Sequence, residues 1–265
     1  MRVKRLQKAS FIVVNQGIVD GDAWQPFALE EVLMRHVSTL PVVHIWRHSC
    51  AFIAGLRDRR LPYAEQALQE LRGRGYATVV RNSGGAAVPL HDGVVNVSVL
   101  FPKPIGLLDI YEDFAWMADF IAEVLAPLGV SFDRGEVQGS YCPGDYDLSI
   151  GGRKFCGIAQ RRRIDAYSLQ AFVIVEGDGT STGQQARQFY EHATGGRTNL
   201  GSPQVEPARM ASLRQLTGHM TVNSFVNSLL DRLRAWGGIE DADLPARYEG
   251  DIHEQIELMR DRYDR

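Results

Sequence analysis

The residues best suited to catalysis lie in glycine-containing segments in the middle of the chain. Cys142 occurs in Gly139–Gly144, where glycines and a proline predict a turn. A reactive thiol must be reachable and must be converted to the thiolate by nearby positive charge, whereas a cysteine inside an apolar strand is usually inert. Cys156 lies in such a strand, and Cys50 lies between two predicted strands. Cys142 is therefore our candidate nucleophile; the alternative is a small apolar residue at the entry to a strand.

A predicted hairpin follows Cys142 and contains Lys154, which lies twelve residues after the cysteine. Its strands, Tyr146–Ile150 and Arg153–Ile158, flank a Gly-Gly pair that favours a primed two-residue turn. Such a turn places Lys154 opposite Ser149 on the neighbouring strand.

Strand alternation predicts that one face of this hairpin is polar, formed by Asp147, Ser149, Lys154 and Cys156. An ammonium held beside a carboxylate on this face could favour the thiolate of Cys142 or stabilise an oxyanion. The hairpin register alone does not bring Cys142 to Lys154. The bend at Pro143 and Gly144 must return the chain toward the lysine.

A third segment, Arg81–Val88, follows the predicted strand Thr78–Arg81 and reads RNSGGAAV. Its small residues would let a ligand approach backbone N–H groups, which can bind an anion or a carbonyl oxygen. Arg81 could add a positive charge at the end of the strand. The segment is not a nucleotide-binding P-loop, because no Gly-Lys-Ser/Thr follows. The alternative is an ordinary tight connection.

Arg161–Arg163 form the sharpest local cluster of positive charge. The cluster suits a solvated strand end, and it also suits a docking patch for an acidic carrier domain, since charge steering assists transient encounters. The formal net charge of −3 gives no overall basic field, so we expect no nucleic-acid partner.

The 265 residues are 45% hydrophobic and 23% charged, values typical of a soluble globular protein. Three cysteines without a Cys-x-x-Cys pair predict no metal site and fit reduced thiols in the cytoplasm. The apolar run Phe11–Val14 is too short for a signal peptide, and no apolar segment is long enough to span a membrane.

The elements that must position these residues predict an α+β fold with a mostly antiparallel sheet flanked by helices. Val42–Trp46 and Ala51–Leu56 are expected to form a hairpin. Asp109 is the expected N-cap of a helix that ends near Leu125. Further predicted helices are Trp24–Val37, Tyr63–Arg72 and Val222–Ala235. Further predicted strands are Val94–Leu100 and Leu169–Val175.

We divide the chain into an N-terminal segment (1–40) packed on a catalytic domain (41–200), followed by a helical C-terminal segment (201–265). The last part, Ala246–Tyr263, is charged and is expected to form a surface helix.

The motifs RNSGGAAV and GSYCPGDYDLSIGGRKFCGIAQRR, at this spacing, resemble those of the lipoate ligase and octanoyltransferase superfamily. The similarity runs from about Trp46 to Tyr190. Within the superfamily the chain is most similar to the cysteine amidotransferases. The resemblance implies the catalytic-domain fold of biotin and lipoate protein ligases, with a short helical tail.

The resemblance also implies roles for individual residues. Cys142 would form an acyl-thioester, and Lys154 would contact the acyl carbonyl. The charge of Lys154 is also expected to lower the pKa of the Cys142 thiol. The predicted acyl-binding residues are Arg81, Ser83, Gly84, Gly85, Asp147, Gly157, Ala159 and Gln160.

Two departures from the ligase pattern favour the transferases. Ala86 replaces the third glycine of the loop, and Leu90 stands where ligases place a histidine. The lack of a large C-terminal accessory domain is expected to point the same way. We therefore expect no ATP, no other cofactor and no metal.

The implied activity is transfer of an octanoyl or lipoyl group through a Cys142 thioester. The donor would be the octanoylated lysine of glycine cleavage H protein, and the acceptor a lysine in the lipoyl domains of 2-oxoacid dehydrogenase complexes. Three alternatives stay open: octanoyl-acyl carrier protein as the donor, an ATP-dependent lipoate ligase, and a non-catalytic module that binds carrier proteins.

Overall fold

A sheet of eight strands forms the centre of the protein, as described by a computed structural model over residues 10–102, 109–241 and 244–263. The first nine residues of the predicted segment 1–40 lie outside the described residues. The strands of the chain are β1 (Phe11–Val19), β2 (Val42–His48), β3 (Cys50–Ala54), β4 (Ala77–Val80), β5 (Val88–His91), β6 (Val94–Pro102), β7 (Asp133–Arg134), β8 (Leu148–Ile150), β9 (Arg153–Arg162), β10 (Ala166–Ile174) and β11 (Ile239–Asp241).

The large sheet has the strand order β11-β1-β2-β6-β10-β9-β8-β7. β1 pairs in parallel with β11 and β2, and the remaining described pairs of this sheet are antiparallel. Its central strands β6 and β10 are rich in valine and other residues that suit a pleated, buried surface. The predicted mostly antiparallel sheet is confirmed.

A second sheet has three strands in the order β4-β3-β5. The predicted hairpin between Val42–Trp46 and Ala51–Leu56 is wrong, because β2 joins the large sheet beside β6 and β3 joins the small sheet. The chain crosses from one sheet to the other at Ser49. Both strands are buried on both faces, so their apolar pattern does not specify the partner strand.

Helices cover both faces of the large sheet: α1 (Trp24–His36), α2 (Ala64–Gly73), α3 (Ile110–Leu125), α4 (Gly179–Thr194), α5 (Leu213–Thr217), α6 (Val222–Trp236), α7 (Leu244–Arg247) and α8 (Glu249–Tyr263). The predicted cap of α3 is confirmed, since the Asp109 carboxylate accepts hydrogen bonds from Tyr111 N and Glu112 N at 2.8 and 3.2 Å. No helix among the described residues is long and apolar enough to cross a membrane.

The core forms two clusters, one on each face of the large sheet. α3 and α6 cover one face, where Phe120 and Phe225 are fully buried. α1, α4 and the small sheet cover the opposite face. α8 packs against α1 through Ile252, Ile256 and Met259, so this charged C-terminal helix buries one apolar side. The cluster beneath α1 and the small sheet contains Cys142, so the candidate site lies on that face of the large sheet.

The β8–β9 hairpin has the predicted primed turn, with positive φ angles of 58° and 72° at Gly151 and Gly152. Ser149 pairs with Lys154 as expected, but the register then shifts and Leu148 pairs with Cys156. This bulge moves Cys156 away from the polar face into the cluster beneath α3. The prediction that Cys156 shares a face with Lys154 is therefore wrong, because strict alternation fails at a bulge.

Candidate active site

The Cys142 side chain lies at the meeting point of the glycine loop and the β8–β9 hairpin. Its sulfur accepts hydrogen bonds from Arg81 Nη2 and from the backbone N–H of Ala86, each at 3.2 Å. The residue is 9% exposed. A guanidinium and a backbone N–H at this distance can both donate hydrogen bonds to an anionic sulfur.

By contrast, the other cysteines lack this environment. Burial raises the pKa of the Cys156 thiol well above its ordinary value, which opposes formation of its thiolate. Burial also raises the pKa of Cys50. Cys142 thus differs from the other two cysteines in the two hydrogen-bond donors at its sulfur, whereas burial raises the pKa of Cys50 and Cys156.

Lys154 contacts the backbone of Cys142 rather than its sulfur. The Nζ atom donates to the carbonyl oxygens of Cys142 and Tyr141 at 2.6 and 3.0 Å, and it forms a 2.8 Å ion pair with Asp147. These three acceptors match the three N–H donors of an ammonium. Lys154 therefore brings together the hairpin and the Cys142 turn, as the bend at Pro143 and Gly144 requires.

The Cys142 turn has an unusual backbone conformation. Cys142 has φ of 47°, the one positive value among the described residues other than glycine. A left-handed conformation costs free energy at a residue with a Cβ, so the surroundings must hold it in place. Lys154 does so at the Cys142 carbonyl. Burial raises the pKa of the Asp147 carboxyl, and the charge of Lys154 opposes this change.

The glycine loop approaches the sulfur closely because it lacks side chains. Gly85 has φ of 104°, and a Cβ there would lie 2.9 Å from Cys142 Sγ and would also overlap the Arg81 guanidinium. Arg81 is fixed in turn, since its Nη2 donates to Ala86 O at 2.7 Å. Arg81 Nε and Ser83 Oγ are buried without a hydrogen-bond partner among the described residues. These two groups remain available to a ligand.

A cavity opens from Cys142 into the interior, between the large sheet and α1. Gly157, Ala159 and Arg81 line it near the sulfur. The apolar part of its wall is formed by Phe27, Trp46, Ile53, Val88, Leu90 and Phe172. Gly157 allows this arrangement, because a Cβ there would lie 2.5 Å from the ring of Phe172. The cavity therefore provides an apolar space next to the Cys142 sulfur.

One side of this inner cavity is polar. Glu30, on α1, accepts hydrogen bonds from Ser98 Oγ at 2.6 Å and from Gln170 Nε2 at 2.7 Å, and lies 3.0 Å from His44 Nδ1. Ser98 pairs with both His44 and Gln170 across the sheet, so the three side chains form a row beneath Glu30. The buried carboxylate of Glu30 therefore lines this side of the cavity, and these three partners all belong to strands of the large sheet.

A groove on the outer surface also reaches Cys142. It is lined by Gly84, Gly85, Ile110, Tyr111, Pro143 and Gln160, among others. The Nε2 atom of Gln160 donates to the Ile110 carbonyl at 2.8 Å. Cys142 therefore lines both an inner cavity and an outer groove, an arrangement that suits an acyl group inside and a second reactant outside.

The predicted acyl-binding residues occupy four different places. Arg81, Gly157 and Ala159 line the inner cavity, while Gly84, Gly85, Ala159 and Gln160 line the outer groove. Asp147 lies behind Lys154, and Ser83 is buried in the loop. Their proposed contacts with an acyl group stay predictions.

The basic cluster Arg161–Arg163 is paired within the protein. Arg161 and Arg163 bind the carboxylate of Glu31 at 2.8 and 3.0 Å, and Arg162 binds Asp113 at 2.9 Å. Burial alone would raise the pKa of Glu31, but the two arginines lower it below its ordinary value. These contacts favour a structural role for the cluster over a free docking patch.

Sequence reasoning missed which cation contacts the sulfur. Arg81 was expected to bind the acyl group, and its contact with Cys142 joins residues 61 positions apart. It also missed Asp58 and Tyr190, which lie behind the glycine loop. An isolated tyrosine on a helix gives no local signal of such a contact.

With this geometry in view, the family of the protein follows from comparison with known sequences. The profile of the family described as "Lipoyl protein ligase A/B catalytic domain" matches residues 22–234. The chain belongs to this family. The match crosses both predicted segment boundaries, at residues 40 and 200, and the three-part division stays a prediction.

The chain is similar to curated proteins named "Octanoyl-[GcvH]:protein N-octanoyltransferase". It is 41% identical to the one from Anoxybacillus flavithermus over 235 residues, which cover 86% of this chain and 85% of the relative. It is 40% identical to the one from Geobacillus kaustophilus, with 82% and 78% covered. These relatives are acyltransferases by name.

Solved structures confirm the fold. A crystal structure of lipoate-protein ligase A bound with ATP aligns with a TM-score of 0.72, covering 94% of each chain at 19% identity. A putative lipoate protein ligase from T. acidophilum with bound lipoic acid aligns with a TM-score of 0.67 at 18% identity. The predicted ligase-type α+β fold is therefore correct.

Proposed function

We propose that this protein is a protein N-octanoyltransferase that carries the acyl group on Cys142. The donor is the octanoylated lysine of glycine cleavage H protein, and the acceptor is a lysine in the lipoyl domains of 2-oxoacid dehydrogenase complexes. One observation carries the proposal: the Cys142 sulfur accepts hydrogen bonds from Arg81 and the Ala86 N–H, and both an inner cavity and an outer groove reach it. The names of the relatives support the choice of donor.

In the first half-reaction the Cys142 thiolate attacks the carbonyl carbon of the octanoyl-lysine amide. The carbon–sulfur bond forms, the carbon–nitrogen bond breaks, and the free lysine of the donor leaves. The proton lost by the thiol balances the proton gained by the leaving amine. The octanoyl chain then occupies the inner cavity as a thioester.

The tetrahedral intermediate carries a negative charge on the former carbonyl oxygen. Arg81 Nε and Ser83 Oγ are buried donors of the glycine loop that have no partner among the described residues, so they are suited to this oxygen. Lys154 has its three N–H groups engaged. Its first task is to hold the Cys142 turn, and a contact with the acyl carbonyl would require it to exchange one of these acceptors.

In the second half-reaction an acceptor lysine enters by the outer groove and attacks the thioester. The carbon–nitrogen bond forms, the carbon–sulfur bond breaks, and the proton lost by the attacking amine balances the one regained by the Cys142 thiol, leaving the acyl group as an amide on the acceptor. No nucleotide enters either step of the proposed reaction. Leu90, at the sequence position where the ligases have a histidine, lines the inner cavity. We place the reaction in the cytoplasm, where thiols stay reduced.

Mass spectrometry tests the covalent step. The intact protein, mixed with octanoylated glycine cleavage H protein, is expected to gain the mass of one octanoyl group, and neutral hydroxylamine should remove it. Cys142→Ala should show no adduct. Cys50→Ala is the matched control and should acylate as the wild type does. An adduct that persists in Cys142→Ala would refute the assignment.

A further inference from the structure

A buried hydrogen-bonded chain supports the glycine loop from behind. The backbone N–H of Ala87 donates to the hydroxyl of Tyr190 on α4 at 3.0 Å. That hydroxyl donates to Asp58 Oδ1 at 3.0 Å, and Asp58 Oδ2 accepts from the backbone N–H of Gly55 at 2.7 Å. Asp58 and Tyr190 are only 3% and 4% exposed.

The segment 54–58, which contains Gly55 and Asp58, also touches the glycine loop directly. A Cβ at Gly55 would lie 3.1 Å from Ala86 Cα and would overlap the carbonyl of Gly85. The backbone N–H of Arg81 also donates to Ala54 O at 2.9 Å. The segment 54–58 therefore fixes the loop at both of its ends, and the loop provides the Arg81 and Ala86 donors at the sulfur.

The orientation of the Tyr190 hydroxyl has one solution. A phenolic hydroxyl has a single proton to donate, and Ala87 N can only donate to it. The Tyr190 proton therefore points to Asp58 and a lone pair faces Ala87. Burial, followed by the charge of Asp58, raises the pKa of Tyr190 well above its ordinary value, so the phenol keeps this proton.

We propose that Tyr190 and Asp58 are positioning residues that set the place of the Ala86 N–H and the Arg81 guanidinium at the Cys142 sulfur. Neither residue touches the reacting atoms. They act by holding Ala87, the neighbour of the donor, and Gly55, the surface on which the loop lies. An aromatic ring at position 190 would fill the core equally well without a hydroxyl. The hydroxyl itself therefore has a directional task.

The catalytic consequence of this proposal rests on the proposed function, but its effect on the thiol does not. The test substitution is Tyr190→Phe, which removes only the hydroxyl and leaves Ala87 N without its acceptor. Alkylation of Cys142 by iodoacetamide in the full-length protein is followed by peptide mass mapping across a range of pH. We expect the alkylation midpoint to move to higher pH.

Acylation by octanoylated glycine cleavage H protein is measured in parallel. The rate constant for thioester formation should fall by about 10- to 100-fold, somewhat less than the loss of a direct oxyanion donor. The KM for the carrier should change less than about twofold, because the carrier binds at the outer groove. Asp58→Asn should give a smaller defect in the same direction, because its amide oxygen can accept from only one of the two donors well.

Tyr63→Phe is the matched control, since Tyr63 also lies beside the end of α4, next to Gly195, but is 41% exposed. It should alkylate and acylate as the wild type does. Tyr190→Phe with wild-type alkylation and acylation, and only a lower melting temperature, would overturn the proposal. If the alkylation midpoint moves but the wild type forms no octanoyl thioester, the positioning role stands and the proposed function fails.

Discussion

The ammonium of Lys154 lies 2.6 Å from the main-chain carbonyl oxygen of Cys142, while the sulfur of that residue is bound by Arg81. The two cations therefore divide the work between the backbone and the side chain of one residue. Lys154 holds a left-handed turn in place, and Arg81 provides the charge at the thiol. This division gives the two residues distinct mutational signatures.

Lys154→Met should destabilise the fold as well as stop acylation. Removing the ammonium leaves the Asp147 carboxylate buried without its partner, and breaking a buried pair costs about 3–5 kcal/mol. Urea unfolding measures the change. The double variant Lys154→Met/Asp147→Asn should recover part of the lost stability but none of the acylation. Equal destabilisation of the single and double variants would contradict the buried-pair argument.

Arg81→Met should act on the thiol more than on the fold. The sulfur loses a hydrogen bond from a charged donor, which is worth about 1.5–3 kcal/mol, so Cys142 alkylation at pH 7 should slow by at least about tenfold. Arg81→Lys should restore little, because one ammonium cannot reproduce the guanidinium contacts with Ala86 O and the sulfur together. Arg234→Met, at an exposed site, is the control. Should Lys154→Met slow alkylation more than Arg81→Met does, the assignment of the two cations is reversed.

Gly85→Ala should abolish thioester formation. Its Cβ would lie 2.9 Å from the Cys142 sulfur at a residue with φ of 104°, so the loop or the thiol must move. A displacement of about 1 Å at a reacting group lowers the rate by about 100-fold. Gly73→Ala, which meets open space at the end of α2, should leave the rate unchanged. Single-turnover acylation measures both variants, and a Gly85→Ala enzyme within threefold of the wild type would argue against close approach of the loop.

Glu31 gives a prediction on pH dependence. Arg161 and Arg163 lower its pKa in the folded protein below the ordinary value of 4.5. Its contribution to stability is therefore complete above that pH and is lost as the pH falls through the folded-state pKa. Glu31→Gln should be less stable than the wild type at pH 7, and the difference should shrink below pH 4.5. Urea unfolding at several pH values checks this; a difference that grows in acid would contradict the pairing.

The nature of the donor can be tested by reversibility. An amide donor and an amide product are nearly equal in free energy, so transfer should run in both directions. Octanoyl-loaded lipoyl domain, mixed with unmodified glycine cleavage H protein, should yield octanoyl-H protein, and Cys142→Ser should not. Acylation of the enzyme by octanoyl-acyl carrier protein alone would replace the amide donor with the thioester donor.

Local signals in the sequence were sufficient for local structure. The Gly-Gly turn between β8 and β9 and the Asp109 cap follow from a few adjacent residues, and both are confirmed. The hairpin proposed for β2 and β3 failed because a strand buried on both faces does not specify its neighbour. Cys156 was misplaced because a one-residue bulge reverses the face of every later residue.

The candidate site was only partly predictable for the same reason. Cys142 and Lys154 lie only twelve residues apart, so their association required a single bend between the cysteine and the hairpin. Arg81 and Tyr190 reach the site from a strand end and a helix far away in the chain, and only the tertiary fold brings them to the loop. The residue types indicated chemistry, whereas their partners depended on long-range packing.

The outer groove has a kinetic consequence for the proposed reaction. Because the proposed thioester places the acyl chain in the inner cavity, the donor and the acceptor carriers both reach Cys142 through the outer groove and must bind one after the other. Turnover should then follow a ping-pong scheme, in which reciprocal plots at different acceptor concentrations are parallel. Either carrier in excess should inhibit by occupying the enzyme form that awaits the other. Net flux of acyl groups in the cell would accordingly follow the ratio of loaded to unloaded carriers rather than the amount of either one.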